Sequence, residues 1–512
     1  MAICFQSVLA RPVAVVLASA LGSAGAAFAQ GQTTRVSVDS SGVQGNSHSW
    51  MNSVSADGRY VAFESLATNL VPGDTNYKWD VFVHDRQTGE TTRVSVDSSA
   101  VQGNDDSRGP SISADGRFVA FESHASNLVS GDTNGFEDVF VHDRQTGQTT
   151  RVSVDSSGVQ ANLNSGGASI SGDGRYVAFD SAASNLVPGD TNSTYDVFVH
   201  DRQTGQTTCV SVDSSGVQGN ASSSFPSISA DGRCVAFYSW AWNLVPGDTN
   251  WKFDVFAHDR QTGQTSRVSV DSSGVQGNNE SMYPSISADG RYVAFGSSAS
   301  NLVPGDTNGS ADTFLHDRQT GQTTRVSVDS SGNQGNGDPL DGQFFLWPSL
   351  SGDGRYVAFH SQANNLVPGD SNEMVDVFLH DQLTGETTRV SVDSSGTQGN
   401  KASAFSSVSA SGRYISFKSA ATNLVAGDTN TSDDVFVRDR SACDPSVVWV
   451  DFTYVGTETG CFDSPYNTLA EGIAAVLSGG TLMIKTGSTS ETPTVTKAMT
   501  LEAYGGAVTI GQ

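Results

Sequence analysis

Apolar and polar positions alternate along this chain in short runs, separated by clusters of Gly, Pro, Asp and Asn. In the first stretch Thr34–Val38 alternates polar with β-branched residues and Ser53–Ser55 follows. The pair Asp57-Gly58 then leads into the β-rich run Arg59–Glu64, and Pro72–Asn76 separates that run from Asp80–His84. A two-residue period of this kind marks half-buried strands, and Asp-Gly supplies the positive φ that a tight hairpin turn needs. Four strands are therefore predicted before the turn Gln87-Thr88-Gly89. No helical period interrupts them.

The pattern then repeats. The segment RVSVDSSGVQGN starts at Arg35 and returns, slightly changed, at Arg93, Arg151, Cys209, Arg267, Arg325 and Arg389. The spacing is 58 residues, or 64 in the sixth unit, which carries an insertion around Gly337–Trp347. Seven units of four strands predict an all-β, seven-bladed β-propeller over residues 33–440. The chain opens on the RVSVD strand and ends its last unit at Val435–Asp439 without another copy. Arg35–Asp39 is therefore expected to complete the seventh blade and close the ring. After a linker at 441–446 the composition changes. Within 447–512, Asn467–Leu477 has a helical apolar period, and Thr481–Lys485, Met499–Ala503 and Ala507–Ile510 read as short strands.

Residues 1–29 read as a signal peptide: Arg11 is their one charge, Pro12–Phe28 is apolar, and Ala27-Phe28-Ala29 is a small-x-small cleavage site. The expectation is an exported protein, periplasmic or extracellular, with no membrane insertion. The formal charge of −26 is spread along the chain, which disfavours phosphate backbones and anionic lipids and excludes nucleic acid as an expected partner. Of five cysteines, Cys443 and Cys461 lie outside the repeat and are the candidate disulfide. Cys209 and Cys234 read as buried single thiols.

The unit PSISADGRFVAFES…DVFVHDRQTG, from Pro110 to Gly147, resembles the WD40-like PD40 repeats of TolB-type propellers over residues 33 to 440. Two departures stand out. Ser-Ala-Asp-Gly or Ser-Gly-Asp-Gly replaces the family's usual Ser-Pro-Asp-Gly, and Ala410-Ser411-Gly412 loses the Asp. The resemblance implies the fold and carries no role in the Tol system. FDSPYNTLAEGIAAVLSGGTLMIKTG is similar to the capping helix and first coils of right-handed pectin-lyase-type β-helices, which implies a small β-helix-like C-terminal module.

Three motifs invite a functional reading. His-Asp-Arg, first at His84-Asp85-Arg86, recurs in five units. A pair repeated around a ring points to blade stabilisation, because catalysis needs one converging constellation. Asp338 and Asp341 in the insertion are the nearest catalytic candidates, and no enzyme is expected. The second motif is the loop G-D-T-N-x-x-x-D. It offers Asp74, Asn76 and Asp80; Asp132, Asn134 and Asp138; Asp190, Asn192 and Asp196; and Asp248, Asn250 and Asp254. The remaining copies are Asp306, Asn308 and Asp312; Asp370, Asn372 and Asp376; and Asp428, Asn430 and Asp434. Such oxygens suit Ca²⁺, the one cofactor considered, although six to eight are needed; the alternative is that Asp and Asn hold the turn.

The third motif is variation itself. The units differ after Gly-Asn and at the loop tip before the third strand, both on one face of the disc. Trp50, Trp79, Trp240, Trp242, Trp251, Phe253 and Trp347 fall there, with Phe136, Tyr195, Phe225, Tyr283, Phe344 and Phe345. Aromatics on variable loops over a rigid scaffold suit recognition. The expected function is exported, non-catalytic binding or scaffolding by a monomer, the partner being an extracellular or periplasmic protein or glycan. The alternatives are a polysaccharide-acting hydrolase or lyase, and a structural cell-surface component.

Overall fold

Each repeat folds as its period requires. The computed structural model describes residues 31–337, 346–440, 447–453, 466–476, 481–491 and 499–510. Blade 1 is an antiparallel sheet of Ser49–Val54, Tyr60–Ser65, Asp80–Asp85 and Thr91–Arg93, in that order from inner to outer strand. Blades 2 to 7 begin at Ser107, Ser165, Ser223, Ser281, Ser349 and Ser403. In blade 7 the outer strand is Gln32–Arg35, paired with Asp434–Asp439. The N-terminal strand closes the ring.

The strand boundaries differ from the sequence reading. The outer strand ends at Arg35 instead of running on to Asp39. Asp39 Oδ1 accepts from the amides of Ser41 and Val43, both at 2.8 Å, and Gly42 adopts φ 82°. This Asx turn folds the second half of RVSVD back, leaving an isolated bridge between Val38 and Gln44.

The apolar face of each blade packs on its neighbour. Val54, Val61, Phe63 and Leu70 of blade 1 meet Val435 and Val437 of blade 7, and the second and third strands stack Phe63 on Phe82 at 5.9 Å. The His-Asp-Arg residues work separately. His84 Nδ1 bonds Thr91 Oγ1 at 2.9 Å, Asp85 takes two bonds from Arg59, and Arg86 donates to the Gly58 carbonyl at 2.7 Å. Gly58 has φ 74°, and a Cβ there would overlap the Tyr414 ring of blade 7. Glycine is thus required twice over, for the turn and for the close approach.

The chain divides into two compact units, one of Thr33–Asp393 with Thr397–Arg438 and the other of the remaining residues. In the second, Val447–Val450, Thr481–Thr489 and Thr500–Ile510 form a parallel sheet in that order. Helix Leu469–Ala475 is N-capped by Thr468, whose hydroxyl accepts from the Glu471 amide at 3.2 Å. Leu469 and Ile473 pack on Val448, Val450 and Leu482. Among the described residues no helix is long and apolar enough to cross a membrane. Residues 1–29, the linker 441–446, Cys443, Cys461, Asp338, Asp341, Phe344 and Phe345 lie outside the described residues.

Candidate functional site

The Asp/Asn loops face the protein's own donors. Asp80 is buried, its Oδ1 accepting from Ser95 at 2.6 Å and its Oδ2 from Gln102 at 2.9 Å. Gln102 also donates to Asp74 at 3.0 Å, and the Arg93 guanidinium lies 3.5 and 3.2 Å from Asp74 and Asp80. Arg35, Arg151, Arg267, Arg325 and Arg389 bridge the equivalent pairs at 3.1–4.0 Å. Asn76 donates to the Gly103 carbonyl at 2.8 Å and accepts from the Lys78 amide. Blade 3 departs from this. Cys209 stands where the others have Arg, so Gln218, Asn192 and Ser211 serve Asp190 and Asp196 without a guanidinium, at 2.6–2.8 Å. Burial, then the nearby Asp196, pushes the Cys209 thiol up to about 12.

The seven candidate binding aromatics fall into three groups. Trp50 and Trp79 form a tilted pair at 5.0 Å, with Trp79 only 7% exposed. Trp242 and the 67% exposed Trp251 form a tilted pair at 5.3 Å, and Trp240 packs on Phe253 at 5.9 Å. Trp347 belongs elsewhere. Its ring lies 5.5 Å from Phe225, 5.1 Å from Tyr283 and 5.3 Å from Phe405.

That last group lines a cavity of about 580 Å³ touched by the inner strands of all seven blades, which places it on the propeller axis. Each fully formed inner strand carries a bulge near its third residue. The third residues of blades 2 and 3 are Gly109 and Gly167, at φ 58° and 61°. Phe225, Tyr283 and Phe405 hold the same conformation, at φ 52–54°, in blades 4, 5 and 7. A large side chain in this region costs roughly 1–2 kcal/mol, so strain is accepted where rings are presented to the cavity.

The fifth residue of the second strand varies in step. Around the ring it is Glu64, Glu122, Asp180, Tyr238, Gly296, His360 and Lys418, within strands that otherwise read nearly alike. Each acidic member accepts the bulge amide of the next blade: Gly109 to Glu64 at 2.9 Å, Gly167 to Glu122 at 2.9 Å, and Phe225 to Asp180 at 2.8 Å. Glu122 and Asp180 line the cavity wall together with Glu137, just before the third strand of blade 2. Burial raises Glu64 and Asp180 to about 7. Burial, then repulsion from Glu122, also raises Glu137. Beyond blade 3 the wall becomes aromatic: Tyr238 stacks on Phe225 at 5.6 Å, and His360 lies 5.9 Å from Phe405. One side of the mouth is acidic and the other aromatic.

The sequence reading placed Phe225, Tyr283 and Trp347 among the variable-loop aromatics. It missed Glu64, Glu122, Glu137 and Asp180. Aligning the seven units column by column exposes the second-strand position, because its charge changes while its neighbours stay constant.

No family model matches this chain, and no curated protein matches it. Solved structures do. TolB from Acinetobacter baumannii aligns at 15% identity and TM-score 0.36, over 67% of this chain and 63% of that one. The chain thus spans less than two thirds of that protein's length. An oligogalacturonate lyase in complex with manganese aligns at 15% identity and TM-score 0.47, over 81% and 94%. The β-propeller domain of the Trilobed protease from Pyrococcus furiosus aligns at 12% and 0.44, over 77% and 93%. The likeness is one of fold. Function has to be argued from the site.

Proposed function

We propose that this chain is an exported, non-catalytic binding protein that holds its ligand, a glycan or a protein segment, at the axial cavity of the propeller. One observation carries this reading: the cavity lies where the near-identical repeats cease to be identical. A scaffold needing only to close its ring has no use for six residue types at one second-strand position, nor for rings held at positive φ. Both features suit recognition by apolar faces plus a few placed polar groups, in a volume typical of ligand sites. Segment 1–29 would direct export, and the C-terminal parallel sheet would be the first coils of a β-helix.

The test is capture of ligands from an immobilised glycan and peptide panel by the chain beginning at Gln30. Phe225→Ala and Phe405→Ala should abolish capture while leaving Tm within a few degrees, since each removes a ring from the cavity wall and asks nothing of the backbone that Phe does not already ask. Capture that survives both changes, or that moves to Trp242→Ala with Trp251→Ala, would place recognition elsewhere.

A further inference from the structure

The propeller gives most of its repeated, buried carboxylates a guanidinium. Asp80 has Arg93 at 3.2 Å, and Asp85 has Arg59 at 2.9 and 2.6 Å. The acidic half of the cavity is different. Asp180 on its wall is only 7% exposed, and Glu64 at the equivalent position of blade 1 only 3%, yet each accepts a single hydrogen bond among the described residues, from a backbone amide. Glu122 likewise accepts one. Arg108 is turned to Asp106 at 3.1 Å beneath the face of Trp79, and of the cavity carboxylates Glu137 alone has an ion-pair contact among the described residues, with His124 at 3.4 Å.

The backbone is shaped to hold these carboxylates together. A Cβ on Gly166 would sit 2.7 Å from Glu122 Oε2 and 3.8 Å from Glu137 Oε2, and one on Gly167 would sit 2.8 Å from Asp180 Oδ2. Two consecutive glycines therefore keep the backbone clear of Glu122 and Asp180, with Glu137 at ordinary contact distance beside them. Glu122 and Asp180 thus keep free lone pairs with no ion-pair partner among the described residues, a setting that favours positive charge from outside.

We propose that this cavity binds a protonated amine borne on an apolar or ring-shaped body. Glu122, Glu137 and Asp180 receive the ammonium, and Phe225, Tyr283 and Phe405 pack the body. The inference rests on the binding reading above and names the chemistry of the ligand. An ammonium supplies three donors and a full charge. The aromatic side adds apolar contact and attraction of cations to ring faces. A bare metal ion fits less well: the space is far larger than a coordination sphere, and Phe225, Tyr283, Trp347 and Phe405 share its wall. A neutral ligand would leave the carboxylates uncompensated.

Calorimetric titration of the full chain with matched pairs of probes tests this. One pair is phenethylamine against 2-phenylethanol; the other is glucosamine tetramer against N-acetylglucosamine tetramer. In each pair the ammonium member should bind about tenfold or more tightly, the scale of a lost buried charge pair. The double variant Glu122→Gln with Asp180→Asn should erase that preference. The variant's Tm, expected to equal or exceed that of the wild type, shows that the fold persists. Equal binding within both pairs, no binding by either amine, displacement of the amines by Ca²⁺ alone, or a preference that survives the double variant would overturn the proposal. Panel capture that is lost with Phe225→Ala but shows no amine preference would overturn only the ligand class and leave the binding reading standing.

Discussion

Ser37 Oγ donates to Asp434 Oδ1 at 2.6 Å, joining residues 397 positions apart in the chain. The Val36 amide beside it bonds the Val435 carbonyl at 2.9 Å. The two ends of the propeller are thus held by the Ser–Asp bond that each other blade makes between its own neighbouring strands. Deleting residues 31–39 should bare the edge of Asp434–Asp439 and produce aggregation or a large fall in Tm. The milder Ser37→Ala, which leaves a buried carboxylate oxygen short of a donor, should cost about 1–3 kcal/mol in chemical denaturation. A deletion variant that stays monomeric with unchanged Tm would show that the strand is dispensable.

Blade 3 lacks the guanidinium that the other blades place between two aspartates. Cys209→Arg should supply it for Asp190 and Asp196, and the gain should be on the order of 1–3 kcal/mol, as for other charge-assisted hydrogen bonds. Differential scanning calorimetry reads the change. A lower Tm would mean that the pocket around Cys209 has closed too tightly for the longer side chain.

The same geometry bears on calcium. In six of the seven loops an arginine lies within 4.0 Å of both aspartates, so a divalent ion would have to displace it. EDTA should leave Tm unchanged, and added Ca²⁺ should not raise it. A chelator-dependent fall restored by Ca²⁺ would establish these loops as metal sites, and loss of that response in Asp190→Asn would locate it in blade 3.

Stability should peak near neutral pH, with a different cause on each side. Burial lowers His84 and His142 to about 4 and lowers His200, His258, His316 and His380 as well. The unfolded chain therefore takes up more protons as pH falls below about 6.5, and stability is lost toward pH 4. Glu64 and Asp180 titrate near 7 in the folded protein, well above their unfolded values near 4. Their contribution is complete at acidic pH and disappears as pH rises through 7. Tm should therefore fall, relative to a variant lacking these two carboxylates, as pH rises from 5 to 8, a comparison in which the shared histidines cancel. Glu64→Gln with Asp180→Asn is that variant, and an unchanged difference would mean that these carboxylates are better solvated than their burial implies.

Much of this protein is determined locally. The period-two runs, the Asp-Gly turns and the seven recurrences of RVSVD establish the blades. The phase of the first copy also requires closure through the N-terminal strand, because a hairpin and its register follow from neighbouring residues. The exact end of the outer strand did not follow in this way. The Asx turn at Asp39 competes with continued pairing, and both suit the same residues. The binding mouth was legible only in part. Its aromatics could be seen as variable-loop rings, but Glu64, Glu122 and Asp180 are 58 residues apart and sit inside conserved-looking strands. Only the packing of neighbouring blades encloses them, and burial there raises Glu64 and Asp180 to about 7, a shift that neither would show in an isolated strand.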